Sequence, residues 1–207
     1  MDPRFHSQSP VIAFVGHQRI ATGPLSEVVL EAHPWTSRLD VGPVLVFDDV
    51  TSQVVEVDFR GSAADAANRL LPASASPEVP SESTGEESAA EKRGPGRPKM
   101  GVVAREVTLL PRHWEWLNQQ PGGASVALRK LVEDARKTHA DRDRKRQAAE
   151  AVHRFLHALA GDLPQFEEVT RAFHASDISR MTELMADWPK GVREHVERLV
   201  GRGGISS

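Results

Sequence analysis

The chain has 207 residues, of which 39% are hydrophobic, and its 26 Lys and Arg against 29 Asp and Glu give a formal net charge of −3. This length has room for one sizeable domain or two small ones. The lack of cysteine excludes disulfides and thiolate metal sites. No run approaches the roughly 20 apolar residues of a membrane span, and no signal peptide core is present at the N-terminus. We therefore expect a soluble cytoplasmic protein without a membrane partner.

The first 72 residues predict a small α+β domain with the element order β-α-β-β-α. Short apolar runs indicate the strands, and apolar side chains at helical spacing indicate the helices. The predicted elements are a strand over 11–16, a helix over 24–33, a hairpin of two strands over 44–49 and 53–59, and a closing helix over 63–71.

Four carboxylates of this domain lie close together in sequence, namely Asp48, Asp49, Glu56 and Asp58. Paired carboxylates can bind a metal or act as general acid and base. Asp48 and Asp49 also stand where a strand enters a turn, and turns favour Asp for its hydrogen bonds to the backbone. A structural role and a catalytic role are both open.

Charge is divided unevenly along the middle of the chain. Residues 73–91 hold 5 acidic and no basic side chains, and residues 92–146 hold 14 Lys and Arg against 6 Asp and Glu. Residues 73–91 consist mainly of Ser, Glu, Ala and Pro, a composition that predicts a disordered linker. We assign 73–101 to this linker and its basic end, and the basic segment indicates a polyanionic partner.

The basic end of the linker reads KRGPGRPK over residues 92–99. With its Gly-Arg-Pro centre it resembles an AT-hook, a segment that binds the minor groove of DNA. The resemblance implies that an arginine enters the narrow, negative groove of A·T tracts while flanking cations contact phosphates. The DNA-binding residues predicted here are Lys92, Arg93, Gly96, Arg97, Pro98 and Lys99.

The next segment, residues 102–146, predicts a strand, a short helix, a glycine turn and a longer helix. Leu110-Pro111 ends the strand, and Ser125 stands at a natural N-cap of the second helix. This order resembles the ribbon-helix-helix DNA-binding family, which implies a homodimer through residues 102–137 whose paired strands enter the major groove. Arg105 and Arg112 are predicted to contact DNA.

The basic run ADRDRKR follows, and it supplies four more predicted DNA contacts, Arg142, Arg144, Lys145 and Arg146. It is either a solvated continuation of the second helix or a break. Residues 147–207 then predict a small bundle of helices, each with an apolar stripe. The fold class is therefore α+β, with an N-terminal β-α-β-β-α unit, an acidic linker, a strand-helix-helix module and a helical bundle.

His153 and His157 are four residues apart and share one face of a predicted helix, where two imidazoles could bind a metal. No third ligand stands at a recognisable spacing, so we expect surface or partner-facing side chains. No metal and no cofactor are predicted, and no acyl-transfer motif is present.

Three segments, FDDVTSQVVEVDFRGS, GRPKMGVVAREVTLLPRHWEWL and WPKGVREHVERL, also resemble a bacterial family of unknown function. That resemblance implies no activity. Residue patterns favour a non-enzymatic DNA-binding protein with a possible regulatory role. The alternatives are a protein–protein interaction or scaffold protein, and an enzyme that uses the N-terminal carboxylates.

Overall fold

The computed structural model describes residues 5–38, 42–70, 103 and 105–205, and the protein is mixed α/β and mostly helical. Its elements are β1 (Pro10–Val15), β2 (Gln18–Pro24), α1 (Leu25–Ala32), a 3-10 helix (His33–Ser37), β3 (Val44–Asp48), α2 (Ala63–Asn68), α3 (Pro111–Asn118), α4 (Gly123–Leu159), α5 (Phe166–His174), α6 (Ile178–Leu184) and α7 (Lys190–Gly203).

Compact packing divides these residues into two units. The large unit is drawn from Met1–Ser74 and His139–Ser207, and the small unit from Ala75–Thr138. The predicted linker over 73–101 lies outside the described residues.

The large unit contains a three-stranded antiparallel sheet in the order β2-β1-β3. Its central strand β1 is buried on both faces. Val11 and Ala13 face a cluster with α1 and α2, whereas Ile12 and Phe14 face a cluster with the C-terminal helices. A strand covered on both faces reads as a continuous apolar run rather than an alternating one, which is why the sequence indicated this strand clearly.

The second cluster joins the two ends of the chain into one hydrophobic core. Phe14 and Phe47 of the sheet lie against Phe155 of α4, with ring centroids 5.4 Å apart in both pairs. Met181 of α6 and Val196 of α7 are fully buried in the same cluster. Residues that the sequence divided between an N-terminal domain, 1–72, and a helical bundle, 147–207, therefore share one core.

The element order of the N-terminal segment differs from the predicted one. The chain turns back directly after β1, with Gly16 at φ 53°, and residues from Gln18 form β2. The strand predicted over 53–59 is not formed, apart from one bridge between Phe47 and Val54. Arg69 donates to the carbonyls of Asp58 and Arg60 at the end of this irregular segment.

The strand predicted over 102–110 is also absent from the described part of the chain, because residues 105–110 are irregular and pair with no strand there. α3 and α4 follow it as predicted, with a glycine turn between them. Ser125 is not the N-cap, since α4 begins at Gly123.

α4 continues without a break through the basic run to Leu159. Its middle has few apolar side chains, and ion pairs at helical spacing stabilise it. Arg136 pairs with Glu133 at 3.3 Å, and Arg144 pairs with Asp141 at 2.7 Å. The apolar stripes that follow form the end of α4 and helices α5, α6 and α7, as predicted.

Candidate functional site

The predicted DNA contacts of the basic lead, Lys92, Arg93, Gly96, Arg97, Pro98 and Lys99, lie outside the described residues. Of the other predicted contacts, Arg105 is exposed in the irregular segment before α3, and Arg112 is exposed in the first turn of α3. Both belong to the small unit.

The four cations of the basic run are all exposed on α4, within the large unit. Arg142, Lys145 and Arg146 share a helix face because they are three and four positions apart, whereas Arg144 lies on another face. Arg142 and Lys145 form no ion pair with any described residue. The structure thus places three of the four predicted contacts together, and we call Arg142, Lys145 and Arg146 the basic face.

Carboxylates of the same helix compete for some of these cations. Arg146 lies 3.2 Å from Glu150 and 3.5 Å from Asp143, and Arg144 is held by Asp141. Such exposed pairs contribute about 0–1 kcal/mol each. A phosphate oxygen can therefore replace the carboxylate at little cost.

The four N-terminal carboxylates do not converge on one site. Asp48 Oδ1 accepts hydrogen bonds from the backbone N–H of Thr51 at 2.6 Å and from its hydroxyl at 2.7 Å, so Asp48 closes the turn after β3. The hydrogen bond from the Arg60 side chain is the main reason that the pKa of Asp58 is lowered. Glu56 is exposed. These contacts match the structural role that the turn composition favours.

Asp49 has a different environment, because its side chain is only 9% exposed and pairs with two arginines of α7. Arg198 Nη1 lies 3.0 Å from Oδ1 and Arg202 Nη2 lies 2.6 Å from Oδ2. Arg202 also donates to the Asp49 carbonyl, and Arg154 of α4 donates to the carbonyl of Thr51. The turn after β3 is thereby attached to α4 and α7.

His195 lies beneath this ion-pair cluster and is completely buried. Its Nδ1 is 3.3 Å from Arg198 Nη2, and the Phe155 ring centroid is 4.4 Å away. Burial is the largest cause that lowers the pKa of His195 to about 4, and the Arg198 charge adds to it. The ring is thus neutral at physiological pH, and its Nε2 has no hydrogen-bond partner among the described residues. The sequence pattern singled out Asp49 as a candidate carboxylate but did not indicate its partners in this cluster.

A second group of histidines lies on the exposed side of α4 and α5. The ring centroids of His153 and His157 are 4.2 Å apart, and those of His153 and His174 are 5.9 Å apart. Partial burial and the neighbouring His157 and His174 lower the pKa of His153. The structure therefore adds His174, which the sequence spacing did not indicate, to the predicted pair; we call these three residues the histidine cluster.

As placed, no three His, Asp or Glu side chains in the described ranges have the geometry of a metal site. A cleft of the large unit, about 510 Å³, is lined by residues that include His17, Arg19, Lys190 and Glu194. Glu194 lies 2.9 Å from Arg19 and 3.6 Å from Lys190. These ion pairs engage both cations with the same carboxylate, so the three side chains together keep one positive charge.

The small unit exposes much of its apolar surface. Trp116, Leu131 and Val132 are 50%, 47% and 57% exposed, whereas Leu117 and Ala127 are buried. A cleft of about 140 Å³ lies between Trp116 and Leu131. The side chains of Trp116, Leu131 and Val132 are called the apolar patch below.

No helix within the described residues combines the length and the apolar character that crossing a bilayer requires.

The model of one protein family, described as "Uncharacterized protein conserved in bacteria (DUF2239)", matches residues 10–200. The chain belongs to this bacterial family, which confirms the family resemblance noted from three segments of the sequence. Neither the curated proteins nor the solved structures contain a match to it.

Proposed function

We propose that this protein is a non-enzymatic DNA-binding protein that contacts duplex phosphates through the basic lead over 92–99 and the basic face of α4. The observation that carries the proposal is the basic face itself. It places Arg142, Lys145 and Arg146 on one exposed side of a helix, and two of these cations have no carboxylate partner among the described residues.

Phosphate binding by exposed cations follows from the release of condensed counterions, and each neutralised phosphate adds to the salt dependence of the affinity. The charge of residues 92–146, with 14 Lys and Arg against 6 Asp and Glu, supplies enough cations for several such contacts. The whole chain has a net charge of −3 and the residues before this segment are acidic. The excess of positive charge is therefore confined to residues 92–146.

We further propose that two copies associate through residues 102–137. The small unit buries Leu117 and Ala127 but leaves the apolar patch half exposed. A unit of this size buries little apolar surface of its own, and an exposed apolar patch marks a surface that a partner can cover. Val107 and Leu110 are also about half exposed. A two-fold related copy would cover these side chains, and residues 105–110 would be free to pair with the same segment of that copy.

A salt series tests DNA binding directly. We expect the full chain to bind a duplex of about 30 base pairs in fluorescence anisotropy at about 50 mM salt, with a steep loss of affinity towards 200 mM. The slope of log affinity against log salt is negative, and replacing Arg142 and Lys145 together by Gln should make it less steep by about 1.8, since each phosphate contact contributes roughly 0.9.

The matched control replaces Arg171 and Arg180 by Gln, which removes the same charge from α5 and α6. Both control residues are exposed and paired with a glutamate on their own helix. An equal effect of the two double variants would reduce the binding to general charge attraction. No binding at about 50 mM salt would exclude the proposed function.

The apolar patch also supports a second candidate, an interaction protein without a nucleic-acid partner. Trp116→Ala separates the two. Under the first proposal this change weakens self-association, measured by analytical ultracentrifugation, and weakens DNA binding with it. A monomeric wild-type chain that binds no duplex would leave the interaction protein as the better description.

A further inference from the structure

We propose that His153, His157 and His174 bind one divalent transition-metal ion of the Zn²⁺ class, which links α4 to α5. The sequence indicated only the first two of these residues. The structure adds the third, because the last residue of α5 brings its ring to 5.9 Å from that of His153.

The backbone beneath the cluster is held rigidly. His153 and His157 alternate with Val152, Phe155 and Leu156 of α4, which are buried in the core. Phe173, the neighbour of His174, is buried in the same core. Packing therefore sets the positions of the three Cα atoms, and this reduces the ordering that a metal would have to impose.

The imidazole nitrogens are available to bind a metal. All three residues are exposed, and no ring nitrogen of the cluster makes a hydrogen bond or ion pair with a described residue. The rings lie against one another and against neighbouring rings, such as that of His157 against Phe166 at 5.2 Å. A metal ion would thus displace water from these nitrogens rather than a protein partner.

Coordination requires the rings to turn, because their nitrogens do not already meet at one point. A zinc–nitrogen distance of about 2.0 Å in tetrahedral geometry puts ligand nitrogens about 3.3 Å apart. The ring centroids of His153 and His157 are now 4.2 Å apart and would have to move apart, whereas those of His153 and His174 are 5.9 Å apart and would have to approach each other. Exposed side chains reach it by changes in χ1 and χ2, with the backbone fixed.

The ligand set determines the class of metal. Neutral imidazoles suit Zn²⁺, Ni²⁺ and Cu²⁺, whereas Mg²⁺ and Ca²⁺ prefer oxygen ligands. Three histidines leave a fourth position for water, as in open zinc sites. The inference is independent of DNA binding, and either can fail without the other.

The test is a calorimetric titration of Zn²⁺ into the full chain, prepared without a histidine tag. We expect one Zn²⁺ per chain, and a thermal midpoint that rises by roughly 5–10 °C at a metal concentration about 100 times the dissociation constant. His157→Gln and His174→Gln should each weaken binding by about tenfold or more, since removing even an outer-shell partner of a metal costs 10–100-fold.

The matched control is His139→Gln, which alters another histidine of α4 far from the cluster and should leave the affinity unchanged. Unchanged affinity in His174→Gln would overturn the three-histidine site and leave a simple two-histidine chelate. An equal loss in His139→Gln, or no binding by the wild-type chain, would also overturn it. Because His157 and His174 are exposed and His139 is partly exposed, circular dichroism of the metal-free variants should match the wild type.

Discussion

Two groups of charged residues in this protein have the same chemistry and opposite environments. Around Asp49, a carboxylate that is largely withdrawn from water pairs with two partly exposed arginines, and these pairs join elements far apart in the chain. Along α4, pairs such as Arg144 with Asp141 lie in solvent on one helix. Burial makes the first group part of the fold, because separating its charges would leave them poorly solvated. Exposure leaves the second group free to exchange partners.

The largest expected effect that separates these groups comes from Asp49→Asn. Loss of the carboxylate leaves Arg198 and Arg202 without their counter-charge, and breaking a buried pair costs about 3–5 kcal/mol. Since both arginines are partly exposed, we expect the lower end, about 3 kcal/mol of unfolding free energy, measured by urea denaturation.

Asp141→Asn is the matched control, because it removes the same carboxylate from an exposed pair. It should change the unfolding free energy by less than about 0.5 kcal/mol. Similar losses in the two variants would contradict the distinction between the buried and the exposed pairs.

A smaller effect should follow from the neutral state of His195. Its pKa is about 4 in the folded protein and ordinary, near 6.5, in the unfolded chain. The unfolded chain therefore binds more protons between these values, so stability is fully present above pH 6.5 and is lost as the pH falls towards 4. Between pH 7.5 and 4.5 this amounts to about 2 kcal/mol.

Urea denaturation at several pH values measures this loss, and His195→Gln supplies the comparison, because it removes the titrating group. Subtracting the two profiles isolates the histidine from other titrating side chains. Identical pH profiles would contradict a role for His195 in acid sensitivity.

The smallest effect concerns the basic lead over 92–99, which is proposed to contact the minor groove of DNA. Arg97→Ala should remove a preference for A·T-rich over G·C-rich duplex of roughly 5–10-fold, about 1 kcal/mol for one specific contact. Anisotropy with two duplexes of equal length measures it. An equal loss on both duplexes would mean that Arg97 acts through charge alone.

Elements with strong local patterns could be predicted from the sequence. The apolar run of β1 and the stripes of α5 and α7 indicated buried elements, because burial of one strand or helix face leaves its period in the sequence. β2 carries no such signal, since its residues Gln18–Pro24 are mostly polar or small. The alternation of Val55, Val57 and Phe59 was misread as a strand, although it arises from packing of an irregular segment against the α1 cluster.

Contacts between distant residues could not be predicted in this way. Asp49 and Arg202 are separated by 153 positions, and no local period relates them. The same limit hid His174, because its distance from His153 depends on how α5 packs on α4. A single sequence therefore showed half of each candidate site, and the fold supplied the partner.

The double burial of β1 has a consequence for synthesis of the protein. Ile12 and Phe14 leave the ribosome early, but Phe155 and Val196, which cover them, follow about 140 and more positions later. At 5–20 residues per second, this strand waits roughly 7–30 s for its second layer. The nascent chain must keep one apolar face uncovered or chaperoned while the whole basic segment is made, and the native core closes only after α7 has emerged.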